Sequence, residues 1–80
     1  MTQTEIKAVM DDVSVGDVLL MGVVCGGERY TEERRIGSIR RYANGVCCAF
    51  FENSSEFIRH SPSDSCTTMS GHAVESVEIL

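Results

Sequence analysis

The sequence predicts an α+β protein in which an N-terminal helix precedes a small, strongly bent, five-stranded antiparallel barrel. Three observations predict this fold: an apolar stripe of helical period near the N-terminus, several short strand-like runs separated by turn residues, and a glycine inside one of those runs. Eighty residues, 42% of them hydrophobic and 24% charged, fit one globular domain that spans residues 1–80.

The helix is predicted from four apolar residues at positions i, i+3, i+4 and i+7, which form one stripe: Ile6, Val9, Met10 and Val13. Thr2 followed by Glu5 has the spacing of a capping box, in which a hydroxyl and a carboxylate bind free amides of the first helical turn. Residues 14–17 then end the helix and turn the chain.

The run VLLMGVVC, Val18–Cys25, is rich in β-branched and aliphatic residues and too short for an ordinary buried helix. We therefore predict a strand that is covered on both faces. Gly22 in its middle predicts a bulge or a sharp bend, which small barrels need at their corners. Gly26 and Gly27 predict a loop after this strand.

The dipeptide Asn44-Gly45 predicts a type I′ hairpin turn, because both residue types tolerate a positive φ. The two strands of this hairpin are predicted near residues 34–43 and 46–52. Strict alternation along the first strand would place Arg35, Gly37, Ile39 and Arg41 on one face and Arg34, Ile36, Ser38, Arg40 and Tyr42 on the other.

A helix over residues 31–43 is the alternative to this first strand. Thr31 is suited to cap such a helix, Ile36 and Ile39 have helical spacing, and Gly45 would end it. Gly37 in the helix interior would cost ~1 kcal/mol relative to alanine. For this reason we favour the hairpin.

The rest of the chain contains a short strand at residues 56–60, a loop at 61–72 and a terminal strand at 73–80. A helix followed by five short strands resembles the SH3-like or Sm-like small-barrel architecture, with the helix over one open end. The resemblance is one of pattern, so it implies a fold and no particular activity.

The charge is distributed unevenly. The net charge is −5, yet five of the seven basic residues lie within residues 28–41, which also contain three glutamates. An acidic protein lacks the positive field that broad, non-specific binding of nucleic acid needs. The balance suits a soluble protein or one that meets a basic partner.

The cysteines and the N-terminus predict a cytoplasmic protein. No basic start and apolar core of a signal peptide are recognisable, and the longest uncharged run, residues 18–27, is about half as long as a membrane span. In a reducing compartment we expect the four cysteines to be free, mostly buried thiols. Cys47 and Cys48 are adjacent and would point to opposite faces of a strand, so they would not pair.

No motif for metal binding or catalysis is present. The candidate ligands, Cys25, Cys47, Cys48, His60, Cys66 and His72, lack the paired spacing of a structural zinc site. No strand–turn motif frames a nucleophile, and Gly26-Gly27 lacks the features of a phosphate loop. We therefore predict no metal, no cofactor and no enzymatic activity.

Binding to a larger protein is the function that the sequence favours, and a nucleic-acid-binding complex is one candidate for that partner. Val18–Val24 and Val46–Phe51 are apolar on both faces, which predicts a covered outer face and a homodimer. Arginine and aromatic residues, enriched at binding hot spots, surround these runs. The predicted partner-binding residues are Tyr30, Arg34, Arg35, Arg40, Arg41, Tyr42 and Phe51.

We expect the protein to act as an inhibitor, an adaptor or an accessory subunit. Compact acidic domains without catalytic motifs are frequent among phage and mobile-element proteins that block host defence, which makes this a hypothesis for the present chain. The alternative function is a nucleic-acid-binding barrel that uses the arginine-rich strand 34–42 to pair with phosphates and stack bases.

Overall fold

A computed structural model, which describes residues 1–62, 66–68 and 70–80, contains one helix followed by a closed antiparallel barrel. The elements are α1 (Gln3–Asp12), β1 (Val18–Cys25), β2 (Glu28–Arg41), β3 (Cys47–Phe51), β4 (Phe57–His60), β5 (Cys66–Thr68) and β6 (Ala73–Ile79). Each strand pairs with the next along the chain, and β6 pairs with β1 to close the barrel. The predicted fold class is confirmed.

Helix α1 begins as the sequence predicts. The Thr2 hydroxyl accepts a hydrogen bond from the Glu5 amide, and the Glu5 carboxylate accepts one from the Thr2 amide, which completes the capping box. Ile6 and Met10 are fully buried in the barrel core. The apolar stripe therefore anchors the helix on the barrel.

The loop at Gly26-Gly27 is where the sequence predicts it, whereas the turn at Asn44-Gly45 differs from the prediction in its geometry. Gly26 and Gly27, with φ of 59° and 85°, join β1 to β2 in the two-residue loop expected of a type I′ turn. The hairpin at Asn44-Gly45 is confirmed, but its turn is not type I′. Here the Gly45 amide donates to the Tyr42 carbonyl at 3.0 Å and only Gly45 of this loop has a positive φ, the pattern of a three-residue loop with a bulge.

Strand β2 is one continuous strand of 14 residues, which excludes the alternative helix over 31–43. Its first part pairs with β1 and its last part with β3, and the register to β3 shifts between Ile36 and Ser38. At this bulge, a Cβ atom on Gly37 would lie 2.9 Å from the Cα atom of Glu52. Gly37 therefore lets two backbones approach closely where the strand bends.

The bulge also reverses the alternation of β2. Ile36 is fully buried and Ile39 packs against the core, although they are three residues apart. The two faces predicted from strict alternation are therefore wrong beyond Gly37. Arg34 and Arg41 share the core-facing side, and Arg40 lies on the outer side.

The predicted bulge in β1 is confirmed, because the register between β1 and β6 shifts between Gly22 and Val23. Strand β5 lies inside the segment 61–72 that the sequence assigns to a loop. It brings the described part of the barrel to six strands and buries Cys66 completely. Residues 63–65 and 69 of the predicted loop lie outside the described residues.

All four cysteines are free, and three are buried: Cys47, Cys48 and Cys66. Burial raises the pKa of the Cys66 thiol to about 12 and also raises the pKa of Cys47. These thiols serve as small apolar side chains. Within the described ranges, no helix combines the length and the hydropathy that crossing a membrane requires.

The close approach at Gly37 predicts a large effect of one methyl group. We expect Gly37→Ala to lower the free energy of unfolding by about 1–3 kcal/mol, because the new Cβ forces β2 away from the backbone of Glu52. Urea unfolding followed by circular dichroism measures the change. Ser38→Ala, at an exposed neighbouring position, is the control. Equal stability of the two variants would contradict the prediction.

Candidate binding surface

The outer face of strands β3 and β4 carries two phenylalanines. Cys47, Ala49 and Phe51 belong to the core, so the alternating residues Cys48 and Phe50 face outward. Phe50 is directly opposite Phe57 in the ladder between β3 and β4. Their ring centroids are 4.9 Å apart with an interplanar angle of 41°, and both side chains are partly exposed.

Two arginines lie beside these phenylalanines. Cys48 is opposite Arg40 on β2 and opposite Arg59 on β4, so one row of the outer sheet has an arginine on each side of a buried thiol. The Arg40 guanidinium lies 5.7 Å from the centroid of the Phe50 ring, within the range of a cation–π contact. We name Arg40, Phe50, Phe57 and Arg59 the arginine–phenylalanine face.

The arginine–phenylalanine face is locally positive on an acidic protein. Both arginines are exposed, and no carboxylate among the described residues forms an ion pair with either of them. Three other basic side chains of the arginine-rich segment do have carboxylate partners: Arg29, Arg34 and Arg41. Arg35 also lacks a carboxylate partner among the described residues, so this face holds two of the three arginines in the described part of the chain that form no ion pair.

Arg34 does not extend into solvent. Its guanidinium lies 4.4 Å from the centroid of the Phe51 ring and forms ion pairs with Glu56 at 2.6 Å and Glu32 at 3.0 Å. The hydrogen bonds to Glu56 and then to Glu32 raise the pKa of Arg34 above its ordinary value. This cluster borders a cavity of about 130 Å³ at one end of the barrel.

We name this cavity the end cavity. Its lining includes Tyr30, Glu32, Phe51, Glu56, Phe57 and His72. Phe57 belongs to both surfaces, so the end cavity adjoins the arginine–phenylalanine face. Tyr30 is 43% exposed, whereas Phe51 is buried beneath Arg34.

The remaining predicted site residues lie elsewhere. Arg41 Nη1 donates to the Met10 carbonyl at 2.9 Å and Nη2 to the Val13 carbonyl at 3.1 Å, so it binds the C-terminal end of α1. Tyr42 is half-exposed next to it. Arg35 donates to the Gly16 carbonyl at 2.7 Å. The structure thus distributes the seven predicted residues over four regions instead of one.

A thiol–imidazole contact was not predicted. Cys25 Sγ lies 3.3 Å from His72 Nε2, although the two residues are 47 positions apart. Closure of the barrel between β1 and β6 brings them together, and no local sequence signal marks the pair. Across the described part of the chain, no group of three or more cysteine, histidine or acidic side chains is arranged to hold a metal ion.

His60 is a buried polar residue in the core. It is 2% exposed, and its Nε2 atom has no hydrogen-bond partner among the residues that the structure describes. Its ladder neighbours are Cys47 on β3 and Cys66 on β5. Burial lowers the pKa of His60 from its ordinary value of 6.5, more than the attraction of Asp11 raises it.

Comparison with known proteins gives no functional information, so a functional proposal depends on the fold and the surface chemistry. No protein-family model matches the chain, and neither a curated protein nor a solved structure is significantly similar to it.

His60 predicts a stability that depends on pH. Because the folded-state pKa lies below 6.5, the unfolded chain takes up a proton that the folded chain does not, and stability falls as the pH drops below 6.5. The free energy of unfolding should change by at most about 1.4 kcal/mol per pH unit. This slope should be visible between pH 6.5 and pH ~5, where carboxylates titrate little. Urea unfolding at a series of pH values measures it.

Two histidine variants separate the sources of this slope. His60→Leu should flatten the dependence between pH 6.5 and pH ~5. His72→Gln, which leaves His60 in place, should retain it. Identical slopes in wild type and His60→Leu would show that the buried imidazole is not the titrating group.

Proposed function

We propose that this chain is a non-enzymatic protein-binding module that docks on a larger protein as an inhibitor, adaptor or accessory subunit. The observation that supports it is the arginine–phenylalanine face, where two arginines without an ion pair among the described residues lie beside two partly exposed phenylalanines in ring contact. Arginine and aromatic side chains are enriched at binding hot spots. The face therefore fits a partner surface that combines apolar groups with carboxylates.

A protein partner fits this face better than nucleic acid does. Arg34 and Arg41 on the arginine-rich strand are engaged inside the molecule, so that strand offers no continuous basic stripe. Arg40 of the strand lies beside Arg59, whereas the exposed Arg35 lies next to β1 and donates to the Gly16 carbonyl. Two cations on a protein with a net charge of −5 give a weak field for phosphates.

The cytoplasm is the setting that we propose for this interaction. Four free thiols, three of them buried, support a reducing compartment. The narrower hypothesis of a phage or mobile-element protein that blocks host defence concerns the identity of the partner. Capture with tagged protein from nuclease-treated extract, followed by mass spectrometry, would identify that partner.

Alanine variants test the proposed face. We expect Arg40→Ala to weaken binding of the captured partner by about 2 kcal/mol or more, because its exposed guanidinium lies within cation–π range of Phe50 on this face. Arg35→Ala, which changes an arginine that binds the Gly16 carbonyl, should have little effect. Calorimetric titration of the purified partner measures both, and circular dichroism checks that the variants fold.

Binding assays with labelled single-stranded DNA and RNA test the alternative function, a nucleic-acid-binding barrel. Equal losses from Arg34→Ala, Arg35→Ala, Arg40→Ala and Arg41→Ala would contradict the proposed protein-binding face. A binding constant for nucleic acid that falls with about the 0.7th to 0.9th power of the salt concentration for each phosphate contacted would also contradict it. Either result would favour the nucleic-acid-binding barrel.

The proposed homodimer has its own surface. Val18, Leu20 and Val24 alternate with the core residues of β1 and are half-buried on its outer side. The strand order places β1 across the barrel from β4, so a dimer through β1 leaves the arginine–phenylalanine face free. Leu20 lies between Glu33 and Glu78 in the ladders, so two such faces bring carboxylates together.

Light scattering at micromolar concentration tests this dimer. We expect a molar mass of twice 8.8 kDa, and a larger dimer fraction at high salt, because salt screens the repulsion between the carboxylates. Leu20→Glu should abolish the dimer, because it places a further negative charge beside Glu33 and Glu78 in the apolar contact. A mass near 8.8 kDa at all salt concentrations would refute it.

A further inference from the structure

The end cavity combines carboxylates with aromatic rings. Glu32 and Glu56 lie on its wall together with the rings of Tyr30, Phe51 and Phe57. Aromatic faces attract cations through their quadrupole, and carboxylates attract them through charge and hydrogen bonds. This set of groups is therefore suited to a positively charged ligand.

Arg34 shows that these groups accept a guanidinium. Its side chain stacks on Phe51 and contacts both carboxylates, at 2.6 Å and 3.0 Å. One cation and two anions leave the cluster with one uncompensated negative charge. The rings of Tyr30 and Phe57, which line the same cavity, form no cation–π contact with this guanidinium.

The size of the end cavity limits what enters. A water molecule needs at least about 10–15 Å³ of such volume, so 130 Å³ holds a small cationic head group. Drug-sized ligands and cofactors occupy roughly 300–1,000 Å³. The cavity fits the end of one side chain and not a whole cofactor.

We propose that the end cavity binds one basic side chain, an arginine or a lysine, of the partner protein. This inference rests on the proposed function, because the partner supplies the side chain, and it adds a specific contact to it. Phe57 connects the two surfaces, so a partner that covers the arginine–phenylalanine face reaches the end cavity as well. The bound cation neutralises the charge that Arg34 leaves uncompensated.

Short peptides test the cavity without the partner. The probes are acetyl-Gly-Arg-Gly amide, its lysine counterpart and its citrulline counterpart, which keeps the shape of arginine without the charge. In heteronuclear NMR titrations we expect the two basic peptides to shift the amide signals of Tyr30, Glu56 and His72. The citrulline peptide should bind at least about threefold more weakly.

Two variants and a control make the test specific. Glu56→Gln should weaken binding of the basic peptides about threefold to fivefold, because it removes a carboxylate charge from the cavity wall. Glu33→Gln, on the other side of β2, should leave the affinity for these peptides unchanged. Arg34→Met should strengthen binding about threefold or more, because Glu32 and Glu56 then lack their internal cation. A misfolded protein does not produce such a gain.

The outcomes separate this inference from the proposed function. Equal binding of the arginine and citrulline peptides, shifts away from the end cavity, or an unchanged affinity in both Glu56→Gln and Arg34→Met would overturn the inference. Arg40→Ala should leave peptide binding intact, since Arg40 does not line the cavity. If the partner binds Arg40→Ala as tightly as wild type while the peptides still bind the cavity, the proposed face is refuted and the cavity is supported.

Discussion

At Gly37, β2 runs so close to the backbone of Glu52 that a Cβ atom would be 2.9 Å from the Cα atom of that residue. This approach lets a 14-residue strand bend and serve two partners, β1 with its first part and β3 with its last part. Without the bend, β2 would extend past β1 and leave its backbone groups unpaired. The barrel, and with it both proposed surfaces, depends on that one contact between backbones.

The bulge at Gly37 also decides what each arginine does. Before it, Arg34 is on the side of the core and forms ion pairs with Glu32 and Glu56 on the wall of the end cavity. After it, the alternation is reversed, so Arg41 turns toward α1 and holds the Met10 and Val13 carbonyls, while Arg40 faces solvent. Because the bulge inserts one extra residue, Arg34 and Arg41 both face the side of the core and Arg40 faces solvent.

The sequence was sufficient for the elements with a strong local pattern. The capping box, the strand Val18–Cys25, the bulge at Gly22 and the hairpin at Asn44-Gly45 each follow from the residues concerned, and the structure has all four. Strand β5 was missed because three residues surrounded by serine, proline and glycine give no periodic signal. Its pairing with β4 and β6 is a property of the closed barrel and not of its own sequence.

The candidate site was predictable only in its residue types. Arginine next to aromatic residues suggested a binding surface, but the faces were assigned by strict alternation, which the bulge breaks. Phe51 was chosen from the pair Phe50-Phe51, yet Phe50 faces outward while Phe51 supports Arg34. Arg59, Phe57 and the Cys25–His72 contact come from neighbouring strands, and a single sequence contains no information on their register. The resulting surface has cations on one side of Phe57 and carboxylates on the other, so that charge alone sets the orientation of any partner that covers both.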